Sequence, residues 1–332
     1  MNTAFRGLCC ITVLIVSLVA LASIALNYGS ATCMSQEATS SHQAVQLLEL
    51  FILAIGAGFV GALMGLGGGL IFVPVLTSVF DIPIHTAITV SIISVIATSI
   101  SGGSAYVKQR ITNIRLAMFL ETSTSLGAFI GALLVLTTPK SLLYLLFSTF
   151  AFYVVFLQIR SLRAGGRGVE IEGFKDASPD VVSRYLHLSG EYFDESELSN
   201  VEYTVRGSIM GWLVSFIAGV GSGMLGIGGG FFKVSAMNLF MNVPLKVAIA
   251  TSKFMIGVTA ATSAIIYYIS GVVRLDLVAP VAIGTILGAS LGTKVMNRLR
   301  VKLLKVVFTA IVCYLGYSML RKGLLILGVT LP

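Results

Sequence analysis

Acidic residues are nearly absent from most of this chain. Of its 14 Asp and Glu, nine lie between Glu170 and Glu202; the rest are Glu37, Glu49, Asp81, Glu121 and Asp276. Charge of either sign is scarce, at 11% of residues, against about 25% in soluble domains. So little charge cannot cover a water-exposed surface, which excludes an ordinary soluble globule. Cysteine is limited to Cys9, Cys10, Cys33 and Cys313, with neither metal-ligand spacing nor a paired framework, so a zinc module and a disulfide scaffold are excluded. His85, in "DIPIHT", reads as a turn residue rather than a ligand. The spans hold no Ser-Lys, Asp-Asp or His-rich constellation with catalytic spacing, so no enzyme and no cofactor are expected. The net charge of +8 suits loops facing an anionic membrane surface or the cytoplasm and does not argue for nucleic acid.

What the chain has instead is apolar sequence, 56% of it, with a mean hydropathy of +0.95. It reads as an all-α integral membrane protein, multi-pass, in the cell (plasma) membrane. Residues 8–26, "LCCITVLIVSLVALASIAL", are long enough to cross a bilayer and read as an uncleaved span in preference to a signal peptide. The 28–45 loop has no Lys or Arg and is placed outside.

Shifted by 161 positions, the chain matches itself without a gap. Gly58 meets Gly219, and Gly65, Gly67, Gly68 and Gly69 meet Gly226, Gly228, Gly229 and Gly230. Val73 meets Val234, Pro83 meets Pro244, and Ala87, Ile88 and Ser91 meet Ala248, Ile249 and Ser252. Thr98, Tyr106, Gly127 and Gly131 meet Thr259, Tyr267, Gly288 and Gly292. This points to a duplicated unit. The division is an N-terminal span with its outside loop (1–45), a first membrane repeat (46–160), an acidic cytoplasmic linker (161–207), a second repeat (208–322) and a tail (323–332). Clusters of Lys and Arg at 108–115, 160–167 and 298–305 can share the cytoplasmic side if the two repeats are inverted. Within the linker, "VEYTV" alternates as a short strand; the rest reads as loop with one turn of helix.

Each repeat carries a glycine tract, "GLGGG" at 65–69 and "GIGGG" at 226–230. Glycine in a helix interior costs roughly 1 kcal/mol relative to Ala. Phosphate cradling does not explain the tracts, because no P-loop Lys-Ser/Thr follows. Small-xxx-small packing explains Gly58, Gly61, Gly219 and Gly223, but only one face of a helix packs, so three consecutive glycines need another cause. A deliberate helix break supplies it. Each tract separates a near-full span from an apolar segment of about 12 residues, too short to cross. Unwound backbone in a membrane belongs where protein or a water-filled cavity satisfies it, and paired breaks point to a transporter's central site. The expectation is therefore an anion site built from backbone at Gly67, Gly68, Gly69, Gly228, Gly229 and Gly230.

Two intramembrane lysines support it, Lys233 in "GGGFFK" and Lys253 in "ATSKFM". Their first-repeat counterparts are Phe72 and Ile92, so the site is expected to be asymmetric. Hydroxyls stand beside them: Thr89, Ser91 and Ser94 in "TVSIIS", Thr251 and Ser252 in "ATSKF". Of these, Ser91, Thr251 and Ser252 join the expected binding set with both lysines. Glu121, in "FLETSTS", is the lone acid of a probable span. It reads either as a buried bridge to a lysine or as a proton carrier.

"GALMGLGGGLIFVPVL" together with "SGMLGIGGGFFKVSAMNLFMNVPLKVAIATSKFMIGVTAATSAIIYY" resembles the sulfite exporter TauE/SafE family of membrane permeases. The resemblance runs from about residue 46 to 322 and includes the acidic linker ending "YTVR". Two departures stand out. Ser235 replaces a Pro that Pro74 keeps in the first repeat, and the 8–26 span lies outside the family core. The family implies a permease for sulfur-containing anions such as sulfite, sulfoacetate or related organosulfonates, working in export. The expected partners are a small anionic substrate and the lipid bilayer, and a homo-oligomer is compatible with this reading. Uptake of thiosulfate or another anion, and a non-transporting assembly scaffold, are the alternatives.

Overall fold

The computed structural model describes residues 36–64, 67–163, 179–194, 199–295 and 301–328. The 8–26 span and Cys9, Cys10 and Cys33 lie outside them. The elements run α1 (Gln36–Met64), α2 (Gly69–Ser78), α3 (Ile84–Lys108), α4 (Ile114–Thr137), α5 (Lys140–Arg163), α6 (Val181–Tyr185), β1 (Gly190–Asp194) and β2 (Ser199–Tyr203). They continue with α7 (Ser208–Leu225), α8 (Gly230–Ser235), a π-helical turn (Ala236–Phe240), α9 (Leu245–Ile269), α10 (Leu275–Val295) and α11 (Val301–Ile326). Among the described residues, α3, α4, α5, α7, α9 and α10 are long and apolar enough to cross a membrane.

Polarity is arranged inside out. On α4, Glu121, Ser123 and Thr124 are buried while Leu126, Phe129, Ile130, Leu133 and Leu134 are exposed. Lipid tails accept the aliphatic face, and protein partners satisfy the polar one. α3 and α9 run through the middle of the bundle, packed on each other, with α4 against α9 and α10 against α3. The tightest pairings are α1 with α10 and α4 with α7. Glycine permits both. A Cβ on Gly58 would lie 2.8 Å from Thr285 Cα, and one on Gly219 would lie 2.9 Å from Thr124 Cα. Close backbone approach of this kind is how helices associate without a hydrophobic driving force. Gly61 differs from the expected packing glycines, because its neighbour is Gly68 of its own tract.

Helices start at Gly69, Ile84, Ile114 and Lys140, and again at Gly230, Leu245, Leu275 and Val301, each 161 residues further on. Pro83 and Pro244 open α3 and α9 alike. Their carbonyls accept from Ala87 N and Ala248 N, each at 2.9 Å. Proline suits this place, since a first-turn N–H has no helical partner in any case.

Three boundaries differ from the sequence expectation. α1 starts at Gln36, inside the expected 28–45 loop; "QEATSSHQAV" contains no Gly or Pro, so its polarity alone does not stop a helix. α11 runs on to Ile326, beyond the expected tail boundary. The linker folds more than expected. β2 overlaps the anticipated "VEYTV" strand, and β1 pairs with it antiparallel, Tyr192 opposite Val201. α6 is the expected helical turn. Tyr192, Leu188 and Val205 bury themselves against Leu116, Leu120, Met237, Met241 and Val247, so the hairpin rests on α4, the π turn and α9.

Candidate functional site

Both glycine tracts interrupt the chain with left-handed backbone. Gly67 and Gly68 have φ of 76° and 75°, and Gly228 and Gly229 have 76° and 65°. An L-residue loses roughly 1–2 kcal/mol in this conformation and glycine does not. Gly68 and Gly229 then form the N-terminal boundaries of α2 and α8.

The tracts meet. A Cβ on Gly69 would lie 2.8 Å from Ile227 Cα. Ser91 Oγ donates to Gly226 O at 2.8 Å and stands 3.5 Å from Gly69 O, and Ser252 Oγ donates to Gly230 O at 3.1 Å. Gly67 and Gly228 rest on the same two side chains. A Cβ on Gly67 would sit 3.1 Å from Val95 Cγ1 and 3.6 Å from Ile256 Cγ2; on Gly228 the distances would be 2.8 and 2.9 Å. A side chain at Gly228 would force these two methyls aside and strain the left-handed backbone.

Beside this junction lies a recess of about 10 Å³, room for one water. Gly61, Ala62, Gly67, Thr98, Ser99, Gly102, Lys253 and Ile256 line it. Lys253 is 5% exposed. Its Nζ donates to Ala62 O at 3.2 Å, stands 3.5 Å from the Tyr106 hydroxyl and lies 4.7 Å from the centre of that ring. Every one of these partners is neutral. Thr98 Oγ1 donates to Gly67 O at 3.0 Å, and Ser99 Oγ donates to Lys253 O.

Lys233 has a different environment. It is fully buried. Its ammonium donates to Thr259 Oγ1 and lies 3.6 Å from Glu121 Oε2. Glu121 Oε1 accepts from Thr259 at 2.7 Å and from Ser125 at 3.0 Å, while Oε2 has no hydrogen-bond partner among the described residues. A buried ion pair of this kind joins α4, α8 and α9.

Of the residues singled out from sequence, the fold therefore gathers both tracts with Ser91, Ser252 and Lys253. Ser91 and Ser252 donate their protons to tract carbonyls and so tie the break to α3 and α9. Thr251 turns elsewhere and accepts from Asn113 N at 3.1 Å. Thr89 Oγ1 bonds back to His85 O at 2.9 Å. Ser94 Oγ is buried with no partner among the described residues. Sequence reasoning passed over the lining groups Ala62, Ser99 and Thr98, and the Lys253 neighbour Tyr106. The signal for the last two was present, since both fall on positions that match across the 161-residue offset.

An apolar helical bundle with interrupted helices meeting at its centre and charge hidden inside defines a multi-pass integral membrane protein. Residues 50–319 match the family model described as Sulfite exporter TauE/SafE, and the chain belongs to that family of plasma-membrane transporters. It is similar to the "Probable membrane transporter protein YunE" of Bacillus subtilis (strain 168), 30% identical over 284 residues, covering 81% of this chain and 97% of that protein. It is also similar to the "Probable membrane transporter protein YdhB" of the same organism, 28% identical over 251 residues, covering 76% and 89%. No solved structure matches it significantly.

Proposed function

We propose that the protein is a secondary transporter that exports a small sulfur-containing oxyanion such as sulfite or an organosulfonate. Lys253 carries the reading: a buried ammonium with only neutral partners, lining a recess with Gly67. An uncompensated cation in a membrane interior is costly and marks a ligand path. Backbone of Gly67–Gly69 and Gly228–Gly230 shapes the site, and Ser91 and Ser252 tie the two tracts in place. An oxyanion is larger than one water, so binding requires the helices around the recess to separate. Glu121 is the proposed proton carrier, buried with one oxygen lacking a hydrogen-bond donor. Lys233, paired with it, belongs to coupling rather than to substrate contact. The two halves are proposed to be repeats, which the recurring helix starts support, and their inversion rests on the Lys and Arg clusters.

The test is sulfite binding to the purified chain by calorimetry, wild type beside Lys253→Met and Gly228→Leu. Saturable heat in the wild type that disappears in folded variants supports the site; equal heats in all three refute it. Flux from loaded vesicles, in each orientation, separates export from uptake.

A further inference from the structure

Among the described residues the buried charged side chains are Glu121, Lys233 and Lys253. Glu121 and Lys233 lie 3.6 Å apart, and their charges sum to zero as long as the pair holds a single proton between them, the state before Glu121 takes up a second for coupling. Lys253 faces Ala62 O and Tyr106 and has no carboxylate within ion-pair distance among the described residues. With Lys253 as an ammonium, these three side chains therefore sum to one positive charge.

We infer that the recess selects monoanions over dianions; this rests on the reading of the recess as an anion site. A monoanion beside Lys253 leaves the interior neutral. A dianion leaves one negative charge buried, and desolvating an unpaired charge is strongly unfavourable. No second lysine is free to balance it, because Lys233 is held by Glu121. Hydrogensulfite and singly charged alkanesulfonates fall on the favoured side. Sulfate, fully deprotonated sulfite, and sulfoacetate with its added carboxylate fall on the other. The neutral lining enforces the rule: Thr98 and Ser99 direct their protons to Gly67 O and Lys253 O, and the remaining walls are Gly61, Gly102 and Ile256.

The experiment uses the full chain in lipid nanodiscs and three probes: methanesulfonate, a fixed monoanion; sulfate, a fixed dianion; and sulfite, measured on the acid and alkaline sides of its second dissociation. Tyr106 is the titratable side chain packed against Lys253, and methanesulfonate reports any titration of the protein itself. Methanesulfonate is expected to bind at least about tenfold tighter than sulfate. Sulfite should weaken from acid to alkaline pH by more than methanesulfonate does. Lys253→Arg, which keeps the charge, should keep the preference, and Lys253→Met should abolish methanesulfonate binding. Sulfate binding as tightly as methanesulfonate, or sulfite insensitive to its own ionisation, overturns the charge rule and leaves the anion site standing. Absence of binding by all three probes to folded protein overturns the site and the rule together.

Discussion

Two buried lysines, Lys233 and Lys253, have different fates, and neighbouring groups decide which. Lys233 meets Glu121 and Thr259; Lys253 meets a carbonyl and an aromatic ring. Removing one partner of a buried pair leaves the other charge unpaired, at about 3–5 kcal/mol, whereas replacing both with apolar groups of similar volume is close to neutral. Lys233→Met alone should therefore lower thermal stability in detergent strongly. The double change Lys233→Met with Glu121→Met should recover most of that loss, and additive losses would refute the pairing. At the rim, Asn113 is the hinge between membrane and linker. Its Oδ1 caps α4 by accepting from Leu116 N at 3.0 Å, and its Nδ2 donates to Leu188 O at 2.7 Å and to Tyr203 Oη at 2.8 Å. Burial raises the Tyr203 phenol above its ordinary value, with the Asn113 bond opposing. The docked hairpin thus favours the neutral phenol. That contribution is intact below the ordinary phenol value of about 10 and is lost as pH rises through the raised one. Protection factors of hairpin amides, corrected for the base-catalysed intrinsic exchange rate, should fall only in that alkaline range, and Tyr203→Phe should remove the fall.

At the scale of elements, glycine has two separate uses in the same helix pair. Gly219 faces Thr124 across the α4–α7 contact, while a Cβ at Gly221 would meet nothing within 4 Å. Gly221→Ala should be neutral or stabilising by up to about 1 kcal/mol, through helix propensity. Gly219→Ala should lower the unfolding temperature, because α4 must move off α7. Matched thermal unfolding of the two variants checks this; equal behaviour would remove the packing account. The tracts obey a different rule. Gly228 combines positive φ with contact on Val95 and Ile256, so substitution there strains the backbone as well as the junction.

Across the whole molecule, the linker is part of the machine rather than a tether. Its hairpin shares a core with α4, the π turn and α9, and Asp180 ties it to the head of α7 by accepting from Ser208 Oγ at 2.9 Å. Asn113→Ala removes an N-cap and two hydrogen bonds, each worth about 1 kcal/mol. Limited proteolysis should then cut within 179–203 faster than in wild type while the membrane helices stay folded. Unchanged cleavage would mean that the hairpin docks through its apolar side chains alone.

Membrane class, the long apolar helices, the glycine breaks and the apolar flanks of Lys233, Lys253 and Glu121 were legible in the chain. These are local properties: apolar run length, residue composition and the conformational freedom of glycine act within a few turns. Which lysine would be neutralised was not legible. Glu121 reaches Lys233 across 112 positions, and Lys253 reaches Ala62 across 191. Nor did local pattern reveal that Ser91 and Ser252 would clamp the tracts while Thr251 turned to Asn113. Linear sequence gives each helix its polar face; the docking of α4, α8 and α9 decides which polar groups come within reach of one another, because Coulomb attraction and hydrogen bonding act over ångströms of space and not along the chain.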